Sequence, residues 1–447
     1  MKTTLDDQNL KSIFSKLSTG NKEYSLHFPG DSDLRQPVHT VYGGAHLFKH
    51  NTTQKIAEVA LNSFKEYAKN PQILAKALGI KTDANFNKKV FSRVESKLKR
   101  EAVEDFRIDF EDGFGNRPNE EEDQTAITAA LEVAEGMKKK TLPPFIGIRI
   151  KSLTEDLKSR SARTLDLFIT TLVKATNGKL PDHFVITYPK ILHIGQVEAL
   201  IEILQQLERK LSLPHGTLKI EFMVETPQTL FTTTGAIALP SLVKAAQGRC
   251  VAAHFGTYDY TASVNITANY QTMDHPACDF ARSIMKVALA GTGIWLSDGA
   301  TNVMPVGPHK GKKLTPQQKK INEKTVHEAW KLNYSHIRHS LKNAIYQGWD
   351  LHPAQLPIRY AALYIFFLES LESASVRLSN FVQQAAKATL VGDIFDDAAT
   401  GQGLLNFFLK ALNCGAITED EITKAGLTLD EVKTRSFLKI IEGRRGK

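Results

Sequence analysis

The chain has 447 residues, of which 42% are hydrophobic and 23% charged, proportions that exclude a disordered, fibrous or low-complexity protein and allow a sizeable buried core. Its 57 Lys and Arg against 48 Asp and Glu leave a formal charge of +9, which suits an anionic ligand. The basic residues are scattered apart from Lys138-Lys139-Lys140 and the stretch from Lys310 to Lys320, and neither cluster alternates with aromatics, so no nucleic-acid surface is expected.

Residues 1–35 are polar and mixed, and predict a short helical preface with a loop at Pro29-Gly30. They lack the apolar core of a secretory leader. The most apolar run, near 360–368, is too short to span a bilayer, so no membrane segment is expected. From residue 36 onward short apolar runs alternate with helix-patterned segments, the pattern of βα units and a parallel sheet. Strands are expected at 38–42, 106–110, 145–150, 183–188, 218–224, 250–255, 293–296 and 349–351. Amphipathic helices such as 196–211 and 322–347 lie between them, and Gly113, Gly115, Gly256 and Gly299 punctuate the loops after strands. Eight such strands favour a closed α/β structure, a TIM (β/α)8 barrel of about 250 residues or more, over an open sheet.

After residue 360 the strand signals stop and helices are expected at 361–387, 404–412 and 418–425. The organisation read from this is an N-terminal segment (1–35), a barrel catalytic domain (36–359) and a C-terminal helical domain (360–447). Cys250, Cys278 and Cys414 lie far apart without a CxxC pair, which predicts neither a zinc site nor a redox pair and fits a reducing cytoplasm.

The chemistry of a barrel is assembled where its strands end at the carboxyl face. Those positions carry Glu111 and Asp112 after the second strand, Arg149 on the third, Lys190 after the fourth, Glu225 after the fifth, Asp259 after the sixth and His352 after the eighth. Glu225 and Asp259 lie about one βα unit apart, so two carboxylates stand on adjacent strand ends. An oxygen-only pair suits Mg²⁺ or Mn²⁺ better than Zn²⁺. Either residue alone is equally well read as an ordinary partner of Lys or Arg; Thr226-Pro227 and Gly256 nearby favour the metal reading.

Arg149 sits in the otherwise apolar GIRI. It must pair with Glu111 or Asp112 or bind an anionic substrate to offset its desolvation. Lys190, in TYPKI, fits an ion pair, a carboxylate partner or a Schiff base. His352, before Pro353, is better read as architecture than as a catalyst. The Lys310 to Lys320 segment reads as a solvated loop in preference to a cationic lid.

Taken together and in order, several motifs resemble one superfamily, that of the citrate lyase β subunit, malyl-CoA lyase and malate synthase. They are IDFEDGFG, GIRI, ITYPKI, LPHGTLKIEFMVET, HFGTYDYTASV, HPAQ and, near the C-terminus, DDAATGQ. The last is similar to the EDAATAE motif of malate synthases, whose aspartate is the acid/base; the matching position is Asp397, with Asp396 before it. The resemblance implies Glu225 and Asp259 as metal ligands, Arg149 as the activating arginine, and Mg²⁺ chelating a 2-oxo acid, with the arginine and the metal stabilising an enolate. Asp397 would move the proton at the nucleophilic carbon, by general acid/base catalysis worth roughly 10²–10⁴-fold.

The reaction implied is making or breaking a carbon–carbon bond beside a small 2-oxo or 2-hydroxy acid, in a homo-oligomer. A tyrosine, Tyr258, stands where malate synthases have tryptophan. No adenine or pantetheine motif is evident, so a CoA thioester substrate stays open. A phosphoryl-transferring enzyme of the phosphoenolpyruvate type and a non-catalytic metabolite binder are the alternatives.

Overall fold

The computed structural model describes residues 4–5, 7–30, 34–311, 313–383, 389–391, 394–396, 398–434 and 436–445. Eight strands close into a parallel barrel in chain order. They are β1 (His39–Gly44), β2 (Asp105–Asp109), β3 (Phe145–Arg149), β4 (Phe184–Tyr188), β5 (Lys219–Val224), β6 (Cys250–Phe255), β7 (Trp295–Ala300) and β8 (Gln347–Asp350). Pairing of β1 with both β2 and β8 completes the ring. The TIM-barrel expectation is met, and each strand falls within a few residues of the run that predicted it.

Successive strand residues face opposite sides. Phe106, Ile108, Ile146, Ile148 and Ile186 are buried in the hydrophobic layer shared with the surrounding helices, while Asp105, Arg107 and Asp109 alternate with them on the inner side of β2. The register places Asp109 beside Arg149 and Arg107 beside Gly147. Helices start and stop at local signals. The Asn70 side chain accepts from Ile73 N and Gly79 closes the same helix in a left-handed turn. Thr315 and Gln318 form a capping box at the head of Pro316–Lys342.

Three expectations need correction. β7 runs to Ala300, so Gly299 is a strand residue and not a loop residue; a Cβ there would lie 2.1 Å from Thr257 Oγ1. Ser297, Asp298 and Gly299 carry no β-propensity, and it is the pairing of Ser297 with β6 and β8 and of Ala300 with β8, across a register shift, that keeps the chain in the sheet. The helix expected to reach 347 ends at Lys342, because Ala344 turns the chain with φ +58° into β8. Strand structure also does not stop at residue 360: Thr389–Val391 and Ile394–Asp396 pair antiparallel.

The helix Leu356–Gln383 follows β8 directly, so the expected boundary at 360 falls inside it. Tyr360 anchors it by donating to Ala102 O at 3.0 Å. Helices Ala398–Asn413, Glu419–Lys424, Leu429–Lys433 and Phe437–Arg445 come after. All three cysteines are free and buried. No described helix is long and apolar enough to cross a membrane.

Candidate active site

The carboxyl ends of β2 to β6 carry a dense ionic cluster. At its centre Arg149, 4% exposed, presents its fork to Asp109. Nε donates to Oδ1 at 2.7 Å and Nη2 to Oδ2. The other edge of the guanidinium faces Glu111 Oε2 at 3.1 Å and Asp112 Oδ2 at 3.5 Å. Burial opposes its charge, but Asp109, Glu111 and Asp112 hold it protonated well above the usual arginine range. Its flat face lies 5.0 Å from the Tyr42 ring centroid and 5.9 Å from that of Trp349.

The loop after β2 supplies the acids. Asp109 fixes it by accepting from Glu111 N at 2.9 Å and Gly113 N at 2.7 Å. A Cβ on Gly113 would sit 2.6 Å from Asp109 Oδ2, so a side chain there would displace the carboxylate that orients Arg149.

Lys190 follows β4 with φ +49°. Its backbone N–H donates to Glu225 Oε1 at 2.8 Å, while Nζ donates to Glu111 Oε1 and to Asp112 Oδ1, the latter at 3.0 Å, and lies 3.9 Å from Asp259 Oδ1. Burial works against its charge, yet Glu111 and then Asp112 and Asp259 raise its pKa above the ordinary lysine value. A protonated amine has no lone pair to attack a carbonyl, so the ion-pair reading of Lys190 is favoured over the Schiff base.

Glu225 is 1% exposed, and burial, with Asp259 and Glu111 adding, pushes its pKa up to about 8. Asp259 is half-exposed and is also raised, by burial first. Five carboxylates (Asp109, Glu111, Asp112, Glu225 and Asp259) thus face two cations.

Three observations fit a divalent cation on Glu225 and Asp259. Negative charge is in excess, and all donors are oxygens, as Mg²⁺ and Mn²⁺ prefer. Glu111 Oε2 is buried and, beyond its ion pair with Arg149 Nη1, makes no hydrogen bond. A Cβ at residue 256 would lie 2.5 Å from Glu225 Oε2, so Gly256 keeps that oxygen uncovered. Among the described residues no three His, Cys, Asp or Glu side chains form a ready cage; Mg²⁺ commonly takes one or two carboxylates and fills its remaining positions with water and substrate.

Arg149, Glu111, Asp112, Lys190, Glu225 and Asp259 are brought together. His352 stands apart, where its Nδ1 accepts from Ala354 N at 3.1 Å and heads a single 3-10 turn. Gln355 closes that turn and donates to Thr301 O at 2.8 Å. Tyr258 donates to Ala300 O at 2.7 Å, a contact that ties the short helix Thr257–Ser263 after β6 to β7. Asp397 lies outside the described residues, and the side chain of Asp396 is likewise not described; the backbone of Asp396 pairs with Thr389.

Sequence reasoning missed Asp109, Tyr42 and Trp349. Asp109 could have been found from strand register, which sets it against Arg149; the two aromatics read as ordinary strand residues.

The profile of a family described as "Domain of unknown function (DUF6986)" matches residues 17–440. The chain belongs to the DUF6986 family. No curated protein matches it in sequence. Among solved structures this DUF6986 chain is similar to a citrate lyase from Burkholderia xenovorans LB400, at 16% identity and TM-score 0.56 over 88% of this chain and 97% of that one. A malate synthase from Haloferax volcanii matches at 11% identity and TM-score 0.47, over 92% of this chain and 98% of that one. The protein CitE from Mycobacterium tuberculosis matches at 14% and 0.46, over 86% and 100%. At these identities the first likeness establishes a shared barrel fold; the chemistry rests on the residues themselves.

Proposed function

We propose that this protein is a divalent-metal-dependent enzyme that makes or breaks a carbon–carbon bond next to a small 2-oxo or 2-hydroxy acid. The observation that carries the proposal is the carboxylate pair Glu225 and Asp259 beside a buried, pre-oriented Arg149, in a mouth where acids outnumber cations. Those two carboxylates would hold Mg²⁺ or Mn²⁺, with Glu111 and Asp112 next to them. When bound, the cation would polarise the substrate's keto oxygen and offset negative charge growing on it.

The chain's own residues supply the rest. Arg149 has its orientation set by Asp109 and its edge turned toward Glu111 and Asp112, so it offers a fixed positive charge where the substrate's oxygen becomes anionic. Lys190 tethers the β2 loop through Glu111 and Asp112, and its N–H orients Glu225. Tyr42 and Trp349 underlie the guanidinium and shield it from water, which strengthens each of these interactions. Asp397, by its motif, is the candidate that exchanges a proton with the carbon nucleophile. Cleavage gives a 2-oxo acid and the other carbon fragment, protonated at the former nucleophile; condensation removes that proton and joins the two into a 2-hydroxy acid.

The test is turnover by purified protein with Mg²⁺ over a panel of 2-hydroxy acids and their CoA thioesters, following 2-oxo acid release. Metal-dependent release, lost in Glu225→Gln and in Asp397→Asn while the latter still binds Mn²⁺, supports the reading. Phosphate release in place of 2-oxo acid, or Mn²⁺ binding without turnover of any member, overturns it.

A further inference from the structure

The inside of a (β/α)8 barrel is normally filled by layers of bulky branched side chains. Here the amino-terminal half is not filled. The walls are contributed in part by Cys250, Ala252 and Val185, and a cavity of about 550 Å³ opens at that end of the barrel, opposite the ionic cluster. This volume lies within the range of small-molecule sites.

Its wall and its floor differ in chemistry. The wall is apolar and aromatic: Phe145 stacks on His183 with centroids 4.5 Å apart and meets Trp295 edge-on at 6.1 Å. The floor is charged and fully buried, with Arg107 3%, Asp105 0%, Glu221 1% and His254 0% exposed. Arg107 donates to Glu221 through Nε at 2.8 Å and Nη2 at 2.7 Å, and to Asp105 through Nη1. One guanidinium therefore answers two carboxylates, whose other partners, Thr40 Oγ1 on Asp105 and Thr187 Oγ1 on Glu221, donate hydrogen bonds but carry no charge.

His254 does not supply the missing charge. Trp349 Nε1 can only donate, and it lies 3.3 Å from His254 Nδ1, which puts the imidazole proton on Nε2. That Nε2 is 3.3 Å from Glu221 Oε2 but is buried without a hydrogen-bond partner. The rim adds one lysine, Lys219, and one aspartate, Asp182, so by formal count the lining keeps one surplus negative charge. A surplus charge in a low-dielectric pocket is costly unless a counter-charge arrives, and aromatic walls favour an organic cation over a hydrated ion.

We propose that the amino-terminal mouth of the barrel is a second binding site, for a small organic cation with a flat apolar body, of the arylalkylamine class. The ring lies among Phe145, His183 and Trp295, and the ammonium group approaches the Asp105–Arg107–Glu221 floor. The site is separate from the metal-dependent chemistry proposed at the other mouth and does not depend on it.

Calorimetric titration of the full chain with tryptamine and with indole-3-propionate, its anionic counterpart, tests this. Saturable one-site tryptamine binding, at least tenfold tighter than indole-3-propionate, is expected. Ala252→Leu fills the cavity and weakens tryptamine binding at least tenfold. Should that variant fail to fold, Thr292→Arg at the partly exposed rim decides, since it sets a positive charge in the mouth and should weaken binding at least threefold. The proposal is overturned by absent saturation, by equal affinity for the two probes, or by folded variants that bind like the wild type. Competition by Mg²⁺ at constant ionic strength also overturns it, because the amine would then be lodged in the opposite, acidic mouth.

Discussion

Asp109 accepts four hydrogen bonds, two from Arg149 and two from the loop amides of Glu111 and Gly113, so the plane of the guanidinium is set before any ligand arrives. A lysine at 149 keeps the charge but cannot reproduce the two-pronged contact. Arg149→Lys is therefore expected to lower kcat/KM by about 10²–10³-fold, the size of losing one pre-oriented donor to a developing anion, while Mn²⁺ affinity measured by titration changes less than threefold. An equal loss in Mn²⁺ affinity would make Arg149 a scaffold of the metal site only. The sequence made Arg149 visible because a cation in an apolar strand needs a partner; the partner itself was hidden, because Asp109 sits at a strand end where only register decides which residues meet.

A second residue-scale consequence concerns His39, which is fully buried and whose Nε2 accepts from Glu104 N at 3.0 Å. Burial lowers its pKa to about 3. The unfolded chain binds this proton near pH 6.5 and the folded chain does not, so the contribution of His39 is present above that value and fades as pH falls. A glutamine can accept the same hydrogen bond without titrating. Between pH 7.5 and 5, denaturant unfolding of the wild type should lose about 2 kcal/mol more than that of His39→Gln; parallel curves would show that His39 does not resist protonation.

Elements are tied together by a few charged contacts, and the C-terminal helices show it. Glu421 sits in the first turn of Glu419–Lys424, where its side chain accepts from the capping residue Thr418 N at 2.9 Å. It also receives two donations from Arg93 Nη2, each at 2.9 Å, from the helix Ala84–Glu101. Arg93 Nη1 donates to Ala416 O as well. Burial alone would raise the Glu421 pKa, but Lys89, the Thr418 amide and Arg93 lower it to about 2. A depressed carboxylate stabilises above its unfolded pKa and loses that contribution as pH falls toward the folded value. Arg93→Ala should thus speed amide exchange across 416–434 about tenfold at pH 6, corresponding to about 1.4 kcal/mol of local opening, with less effect near pH 3. Equal effects at both values would assign the tie to the Ala416 carbonyl alone.

The same elements show where local signals stop. Thr418 and Glu421 spell a capping box, so that helix was legible within a residue. The short Thr389–Val391 and Ile394–Asp396 pair was not, because three-residue strands lack room for a period.

At the scale of the molecule, the barrel was legible because its outward-facing strand positions are apolar and the helices that cover them are amphipathic. Its interior was not. An alternating strand such as DFRID (105–109) reads as half solvent-exposed, whereas closing the ring turns that polar side inward and buries Asp105, Arg107 and Glu221 together. The cluster at the carboxyl mouth was legible as single residues at strand ends, while its sum, five acids against two cations, required the closed ring.

That sum has a thermodynamic consequence for the whole chain. Burial, Asp259 and Glu111 oppose the ionisation of Glu225 in the folded state alone, because unfolding returns the carboxyl to water and separates it from the other two. A divalent cation that binds only the folded mouth stabilises it by RT ln(1 + [M]/Kd), about 2.7 kcal/mol at a hundredfold excess over Kd. One kcal/mol moves the midpoint by about 2–4 °C in domains of 150–250 residues and by less in larger ones, so Mg²⁺ should raise Tm by a few degrees. NaCl at matched ionic strength should not, since screening acts weakly on a partly buried site. Glu225→Gln replaces the carboxyl whose ionisation burial, Asp259 and Glu111 oppose. Its metal-free Tm should therefore equal or exceed that of the wild type, and the Mg²⁺ response should disappear. A wild type whose Tm ignores Mg²⁺ would mean that Lys190 and Arg149 already balance the mouth and that no divalent cation belongs there. A Glu225→Gln variant that still responds would move the cation to Asp259 and the Glu111–Asp112 loop.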